Sequence, residues 1–446
     1  MNPSFELQPP GQMITAVFEG WRREGIDFLV LRNYEQLPAF TTNDIDVLVR
    51  PGRREDAARH LVAAAARHGF MLLNRAEFAT LAFYFANPET GAQVHFDLFT
   101  CLQWRGLDFI DCSGFLDRRI RRGLFDVPGR ADEAVTNLLA YLIYAGKVKE
   151  KYRASIQSGF AADPAGAVAL LGGTYGAARA SWLVEQCRTG GWDAVGKSVG
   201  ELRKLLLRRS LLRKPIRTIW SLATNLLRLG RRLLAPPGVV VVLCGADGCG
   251  KTTAGKLLVE MLGGTFSPDK GRQFHWKPPV FSGRRRAARG AVTAPHAQPP
   301  RGLAGSMIFF AVHWLEFVFG APLKLLPVTF RGGLVLIDRH YYDFFVDQRR
   351  YRLRLPMSVV RAGYALLPKP DLVLVLDAPT AVLRSRKQEV SEEETARQRE
   401  AYARLGDLPG IVRIMDATQS PVAVAESMQR ELFRFMAERN KKRCGM

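Results

Sequence analysis

The chain has 446 residues, 47% hydrophobic and 24% charged, which excludes a disordered polypeptide and predicts two or three domains. Its formal net charge of +22 predicts acidic partners: nucleotides, phosphorylated substrates, anionic lipid or nucleic acid. The six cysteines form no CxxC pair and no Cys/His zinc spacing, so a zinc framework is excluded and a reduced, cytoplasmic protein is expected.

Met1 to Gln12 lack the basic start and apolar core of a secretory signal. Residues 14–24 then predict an amphipathic helix. Phe28–Leu31 and Ile45–Val49 predict short buried strands, and 55–68 a helix ended by Gly69. Leu81–Ala86 and Ala92–Phe99 predict further strands about a turn at Asn87–Gly91. Asp44 and Asp46 are two residues apart on a strand, so both face one side, and Asp97 lies in a neighbouring strand. Three such acids can hold two Mg²⁺ ions for nucleotidyl transfer.

Over residues 14–150 this α+β pattern resembles the nucleotidyltransferase fold of the DNA polymerase beta type. The resemblance implies Asp44, Asp46 and Asp97 as metal ligands. Where that family carries a Gly-Ser pair for the triphosphate, this chain has Val30-Leu31-Arg32-Asn33-Tyr34, with Arg32 as an alternative phosphate ligand. A second reading keeps the acids for packing or binding alone. Lys147, Lys149 and Lys151 follow, either to meet a nucleotide or as a solvated face.

Residues 131–237 are helical in pattern and separate a domain at 1–130 from one at 238–446. Between Arg203 and Arg232 the chain carries Arg203, Lys204, Arg208, Arg209, Arg213, Lys214, Arg217, Arg228, Arg231 and Arg232 without an acid, and leucines fill the gaps. A spacer whose leucines pack between domains is expected, with incidental affinity for the anionic surface of the inner membrane. No RNA or DNA module motif accompanies it, so nucleic acid is not an expected partner.

The third region opens on Val239–Leu243, an apolar β-branched run suited to a central parallel strand. It enters Gly245-Ala246-Asp247-Gly248-Cys249-Gly250-Lys251-Thr252-Thr253, the full G-x-x-x-x-G-K-T pattern. Such glycines let backbone N–H groups close on phosphate at a helix N-terminus. Lys251 is then expected to reach the β- and γ-phosphates of ATP, and the Thr252 hydroxyl to ligate Mg²⁺. Two more buried strands, Leu334–Ile337 and Leu372–Leu376, each end at an aspartate. Strand–helix alternation predicts a three-layer α/β domain with a parallel sheet. Met307–Phe330 is apolar but interrupted by His313, Glu316, Pro322, Lys324 and Pro327, which predicts a buried helix followed by a loop rather than a membrane span.

From Val239 to Leu432 the order of motifs resembles the thymidylate kinase family. Asp247 stands at the family's acid in the loop, Asp338-Arg339-His340 at its Asp-Arg-aromatic signature, and Lys369–Pro379 at the strand before its lid. The resemblance implies a P-loop NTPase fold and an ATP- and Mg²⁺-dependent kinase. It implies Asp338 with Thr252 on magnesium and Arg339 on the acceptor's anionic group. It also implies that Arg384, Arg386, Lys387, Arg397 and Arg399 lie at the lid, where a solvated helix face is the alternative. Gly248 and Cys249 stand where some members carry a catalytic arginine, so Arg384 and Arg386 are expected to supply that charge. Relatives of this half often dimerise, which implies a homodimer. Tyr341–Arg352, Phe274–Pro278 and Pro295–Pro300 depart from the family pattern, which points away from thymidylate and leaves the acceptor unidentified. In these departures the chain resembles a bacterial subgroup associated with surface polysaccharides. His275, Trp276, Lys277 and His296 are candidates to line the acceptor site, with packing of Trp276 as the alternative, and Arg284, Arg285, Arg286 and Arg289 form a basic loop. Two other functions stay open at this point. One is nucleotidyl transfer with the P-loop half as regulator; the other is ATP-gated binding at a membrane surface.

Overall fold

A computed structural model describes residues 8–41, 43–263, 272–276, 280, 296, 298–407 and 412–444. These form two compact units. The first takes in the described residues up to Arg231 apart from Pro88–Gly91; the second takes in those four and the described residues from Arg232 onward.

In the first unit a five-stranded sheet contains β1 (Phe28–Val30), β2 (Ile45–Val49), β3 (Met71–Glu77), β4 (Leu81–Ala86) and β5 (Gln93–Phe99), in the order β1-β2-β5-β4-β3. β2 and β5 run parallel, with Asp46 opposite Asp97, and the other pairs are antiparallel. The helices Pro9–Arg23 and Arg54–Arg67 bury Phe18, Trp21 and Leu61 against Phe28, Val47 and Phe96. Two small hairpins follow, β6 (Leu102–Trp104) with β7 (Leu107–Ile110) and β8 (Ile120–Arg122) with β9 (Phe125–Val127). A second core joins Leu29, Leu31 and Leu48 to Val135, Leu138, Leu142, Ile156 and Leu183 of the following helices. Side chains alternate across a strand, so β1 and β2 feed one core from each face.

The second unit is built on β10 (Val239–Cys244), β11 (Arg272–His275), β12 (Leu334–Asp338), β13 (Leu372–Asp377) and β14 (Val412–Asp416). Their order is β11-β12-β10-β13-β14, and every pairing is parallel. β12 and β13 are buried until their terminal aspartates, as parallel strands covered by helices on both faces must be. The mixed α/β architecture with a parallel sheet is therefore present.

The expected loop after the apolar helix is absent. Leu303–Gly320 continues through a π-helical turn, Ala321–Leu325, into Leu326–Phe330. The wider turn accommodates Pro322, which would break a regular helix interior. By length and composition this helix could cross a membrane, and 33% of its most apolar window is buried. Its interrupting polar residues His313 and Glu316 belong to the buried face, with Phe310 and Phe317.

Candidate active site

The loop from Gly245 to Gly250 leaves β10 at the carboxyl end of the sheet and starts the helix Lys251–Met261. Gly245, Gly248 and Gly250 all take positive φ, at 141°, 87° and 85°. Two of them are also boxed in. A Cβ on Gly245 would stand 2.4 Å from the Leu376 carbonyl oxygen, and one on Gly248 would stand 2.6 Å from that of Leu383. The backbone can therefore coil tightly against the chain at Leu376 and Leu383 only because both residues lack a side chain. Lys251 is buried and lies across the loop, donating from Nζ to the Gly245 oxygen at 2.8 Å and the Ala246 oxygen at 3.0 Å. The Cys249 Sγ lies 3.4 Å from the same ammonium.

Thr252 Oγ1 donates to Asp338 Oδ2 at 2.7 Å. The parallel register makes this possible, because Leu243 before the loop is the partner of Asp338 at the end of β12. Burial alone would raise the Asp338 pKa, but the His275 imidazole 3.6 Å away, the Thr252 hydrogen bond and the Lys251 charge outweigh it and hold the carboxyl below its ordinary value. Its second oxygen, Oδ1, is buried and has no hydrogen-bond partner among the described residues. An anionic oxygen in that position, beside a threonine hydroxyl, fits a magnesium ion carrying its own waters.

A charged cluster continues from there. Arg339 and Arg350 both donate to Asp247. Arg339 also reaches Asp343 at 3.4 Å, and Asp343 accepts from Tyr351 at 2.7 Å and Tyr402 at 3.0 Å. Burial opposes ionisation of Asp247, yet the two guanidiniums prevail and its pKa lies well below the usual carboxylate range. Arg339 holds φ of 69° while its N–H donates to the Leu243 oxygen at 3.0 Å. Left-handed backbone at a non-glycine residue is costly and is found where a side chain must be aimed.

The sequence expectations are only partly assembled here. Lys251, Thr252, Asp338 and Arg339 converge with Asp247, whereas Arg384 donates to the Val390 oxygen at 2.8 Å and Arg386 to the Ala417 oxygen at 2.8 Å. Arg397 pairs with Glu394, and Arg399 makes two 2.9 Å hydrogen bonds to Asp377. The guanidinium that joins Arg339 at the loop is that of Arg350, within the stretch that departs from the family. No spacing rule singled it out. Trp276 is packed rather than open, stacked on Tyr351 at 4.8 Å and 14° and lying against His313. His296 bonds Asp347 at 2.9 Å, and the His275 side chain is exposed. Lys277, Arg284, Arg285, Arg286 and Arg289 lie outside the described residues.

In the first unit the acids divide differently from the expectation. Asp46 is buried and paired with Arg32 at 2.5 Å. Arg32 lies over the Tyr141 ring, as does Lys149. Asp44 and Asp97 are instead joined by His95, whose Nδ1 is 2.6 Å from Asp44 and whose Nε2 is 3.2 Å from Asp97. Ligand atoms of Asp44, His95 and Asp97 lie within 4.8 Å of one another. Burial disfavours the imidazolium, but Asp97 and Asp44 outweigh it and raise its pKa to about 10. The Asp46 pKa is also raised: burial, together with Asp97 and Asp44, works against the Arg32 pairing.

Comparison with known proteins finds thymidylate kinases. The probable thymidylate kinase of Pyrococcus horikoshii is 28% identical over 196 residues, 41% of this chain and 90% of the relative. The thymidylate kinase of Xanthomonas euvesicatoria pv. vesicatoria is 27% identical over 219 residues, 46% of this chain and 88% of that one. Among solved structures, that of thymidylate kinase from Ehrlichia chaffeensis covers 45% of this chain and 100% of its own, at 16% identity and a TM-score of 0.33. No family model matches the chain. Thymidylate kinase homology, at low identity, thus extends over somewhat under half of the chain.

Proposed function

We propose that the chain is an ATP- and Mg²⁺-dependent phosphotransferase of thymidylate kinase type, working in the cytoplasm on a nucleotide, sugar or sugar phosphate. The observation that carries this reading is the convergence of Lys251, Thr252, Asp338, Arg339 and Arg350 about one glycine loop. Phosphoryl transfer asks the protein mainly for positioning and charge neutralisation. Gly248, Gly250 and Thr253 offer backbone N–H groups to the phosphates, Cys249 adds its own by releasing the Ala246 oxygen, to which it donates at 3.4 Å, and Lys251 exchanges the Gly245 and Ala246 carbonyls for phosphate oxygens. Thr252 and Asp338 would hold a magnesium ion, which would supply neutralisation of phosphate charge. Arg339 and Arg350, aligned by Asp247, grip the acceptor's anion, and Arg384 and Arg386 contribute if the segment bearing them closes on the nucleotide.

Support for an acceptor other than thymidylate comes from Tyr341–Arg352, where the chain departs from the thymidylate kinase pattern and supplies Asp343, Arg350 and Tyr351 to the cluster. A sugar phosphate of surface-glycan metabolism belongs to this class. An ATP-consumption screen over nucleoside monophosphates and sugars tests the reading, run beside Lys251→Ala and Asp44→Asn. Turnover with one acceptor, lost in Lys251→Ala, is expected; full activity in that variant refutes it.

A second reading, nucleotidyl transfer by the first unit, is favoured by the grouping of Asp44, His95 and Asp97. It predicts pyrophosphate release that Asp44→Asn abolishes and Lys251→Ala spares.

A further inference from the structure

The helix Pro215–Leu234 turns its apolar face outward. Ile216, Ile219, Trp220, Ala223, Leu226 and Leu227 recur at intervals of three and four, which places them on one side of the helix. Ile216 is 84% exposed, Trp220 75%, Leu226 68% and Leu227 66%. Within the described first unit this row is left uncovered. In the preceding helix Val199–Arg213, Leu202 and Leu206 are instead buried in the core of the first unit.

The other side of the helix is anchored to its own unit. Thr218 is buried and donates to the Ser210 oxygen at 2.8 Å. Arg217 pairs with Asp108 at 3.1 Å, Leu222 packs against the helical core, and Arg228 donates to the Phe78 oxygen at 2.6 Å. The helix is thus fixed in its roll, with the apolar row pointing away. Lys214 and Arg231 are exposed near its two ends, Lys204 and Arg208 are exposed on the helix before it, and no acid occurs between Glu201 and Asp247.

We propose that this row docks the protein on an anionic membrane surface, with the helix axis in the plane of the membrane. Apolar side chains would enter the acyl boundary, the Trp220 indole would sit at headgroup depth, and Lys214 and Arg231 would meet lipid phosphates. Charge complementarity selects this occupant. A nucleic acid would satisfy the cations but leave the apolar row without a partner. A second copy related by two-fold symmetry would bring Lys214 against Arg231 if the helices paired antiparallel, or each against its own copy if they paired parallel, like charge on like in both cases.

The full-length chain is sedimented with phosphatidylcholine vesicles, with and without phosphatidylglycerol. Binding that needs the anionic lipid and weakens with salt is expected. Leu226→Glu with Leu227→Glu should lower it roughly a hundredfold, from loss of apolar burial. Lys214→Ala with Arg231→Ala should lower it roughly twentyfold on anionic vesicles only. Brominated lipid should quench tryptophan emission in wild type and less in Trp220→Phe. All altered side chains are exposed, and Mg²⁺-ATP binding with an unchanged circular dichroism melt checks that each variant is folded. Absence of vesicle binding by folded wild type overturns the proposal, as does binding unaffected by the leucine substitutions. A dimer that these substitutions dissociate, without vesicle binding, assigns the row to self-association and overturns it; so does a nucleic acid bound in its place.

Discussion

Thr252 and Asp338, 86 positions apart in the chain, share a 2.7 Å hydrogen bond at the foot of the glycine loop. On the proposed function both then turn to one magnesium ion. Thr252→Val should weaken Mg²⁺-ATP binding about tenfold, and Asp338→Asn should reduce turnover by about a hundredfold. These scales follow from losing a neutral and a charge-assisted contact. Titration calorimetry with and without magnesium separates the two: Thr252→Val should lose the magnesium dependence and keep weak binding of free ATP.

Arg350 completes the clamp on Asp247. Arg350→Ala should raise the acceptor KM at least tenfold and change the ATP KM little, because it bonds the carboxylates of Asp247, Asp347 and Glu389 rather than the backbone amides of the loop. Lys at this position restores charge but not the fork, so it should rescue only partly. Steady-state kinetics with each substrate varied checks the split.

Two loop glycines should differ under the same change. Both have positive φ, which costs an alanine about 1 kcal/mol. A Cβ on Gly250 meets nothing within 4 Å, whereas one on Gly248 collides with the Leu383 carbonyl. Gly250→Ala should therefore lose about fivefold in ATP affinity, and Gly248→Ala should lose detectable binding. Equal losses would place the constraint in φ alone.

His340 gives the second unit an acid sensitivity. It is buried against Phe317, its Nδ1 has no partner among the described residues, and burial, with the Lys369 charge, holds its pKa down to about 3. The unfolded chain takes up this proton near the ordinary value of 6.5, while the folded chain resists until about 3. Stability should thus fall as pH drops through that window, by up to about 1.4 kcal/mol per pH unit. His340→Phe should flatten the slope in urea unfolding between those limits.

In the first unit, Arg32→Ala strands the buried Asp46 carboxylate. A loss of about 3–5 kcal/mol is expected. Adding Asp46→Leu should recover most of it, since the charge left behind causes the damage. Chemical denaturation followed by the tryptophan signal of that unit measures both.

The central strands were legible because Val239–Cys244, Leu334–Asp338 and Leu372–Asp377 are uninterrupted apolar runs, as burial on two faces demands. The glycine loop was legible because its chemistry is local. β3 was not: Asn74 and Arg75 interrupt it and its register slips between Leu72 and Asn74. β14 carries exposed Arg413 and Ile414 at a sheet edge, so it lacks the buried signature. Arg350 and Tyr351 reach the site from one segment and Tyr402 from another about fifty residues on, and no periodicity encodes such a meeting. Asp46 was legible as a strand acid, but its capture by Arg32 depends on which side chains the fold brings opposite. The row along Pro215–Leu234 was visible as leucines among arginines; only the packed structure distinguishes its covered side from its bare one.

The pairing of Leu243 with Asp338 has a further implication for anyone transplanting this loop. The glycine turn is not a portable cassette, because its hydroxyl finds the aspartate through the alignment of two parallel strands. Deleting a single residue early in β12 would carry Asp338 to the opposite face of the sheet and offer Arg339 to Thr252 instead. A graft would need to import both strands, in step, along with the turn.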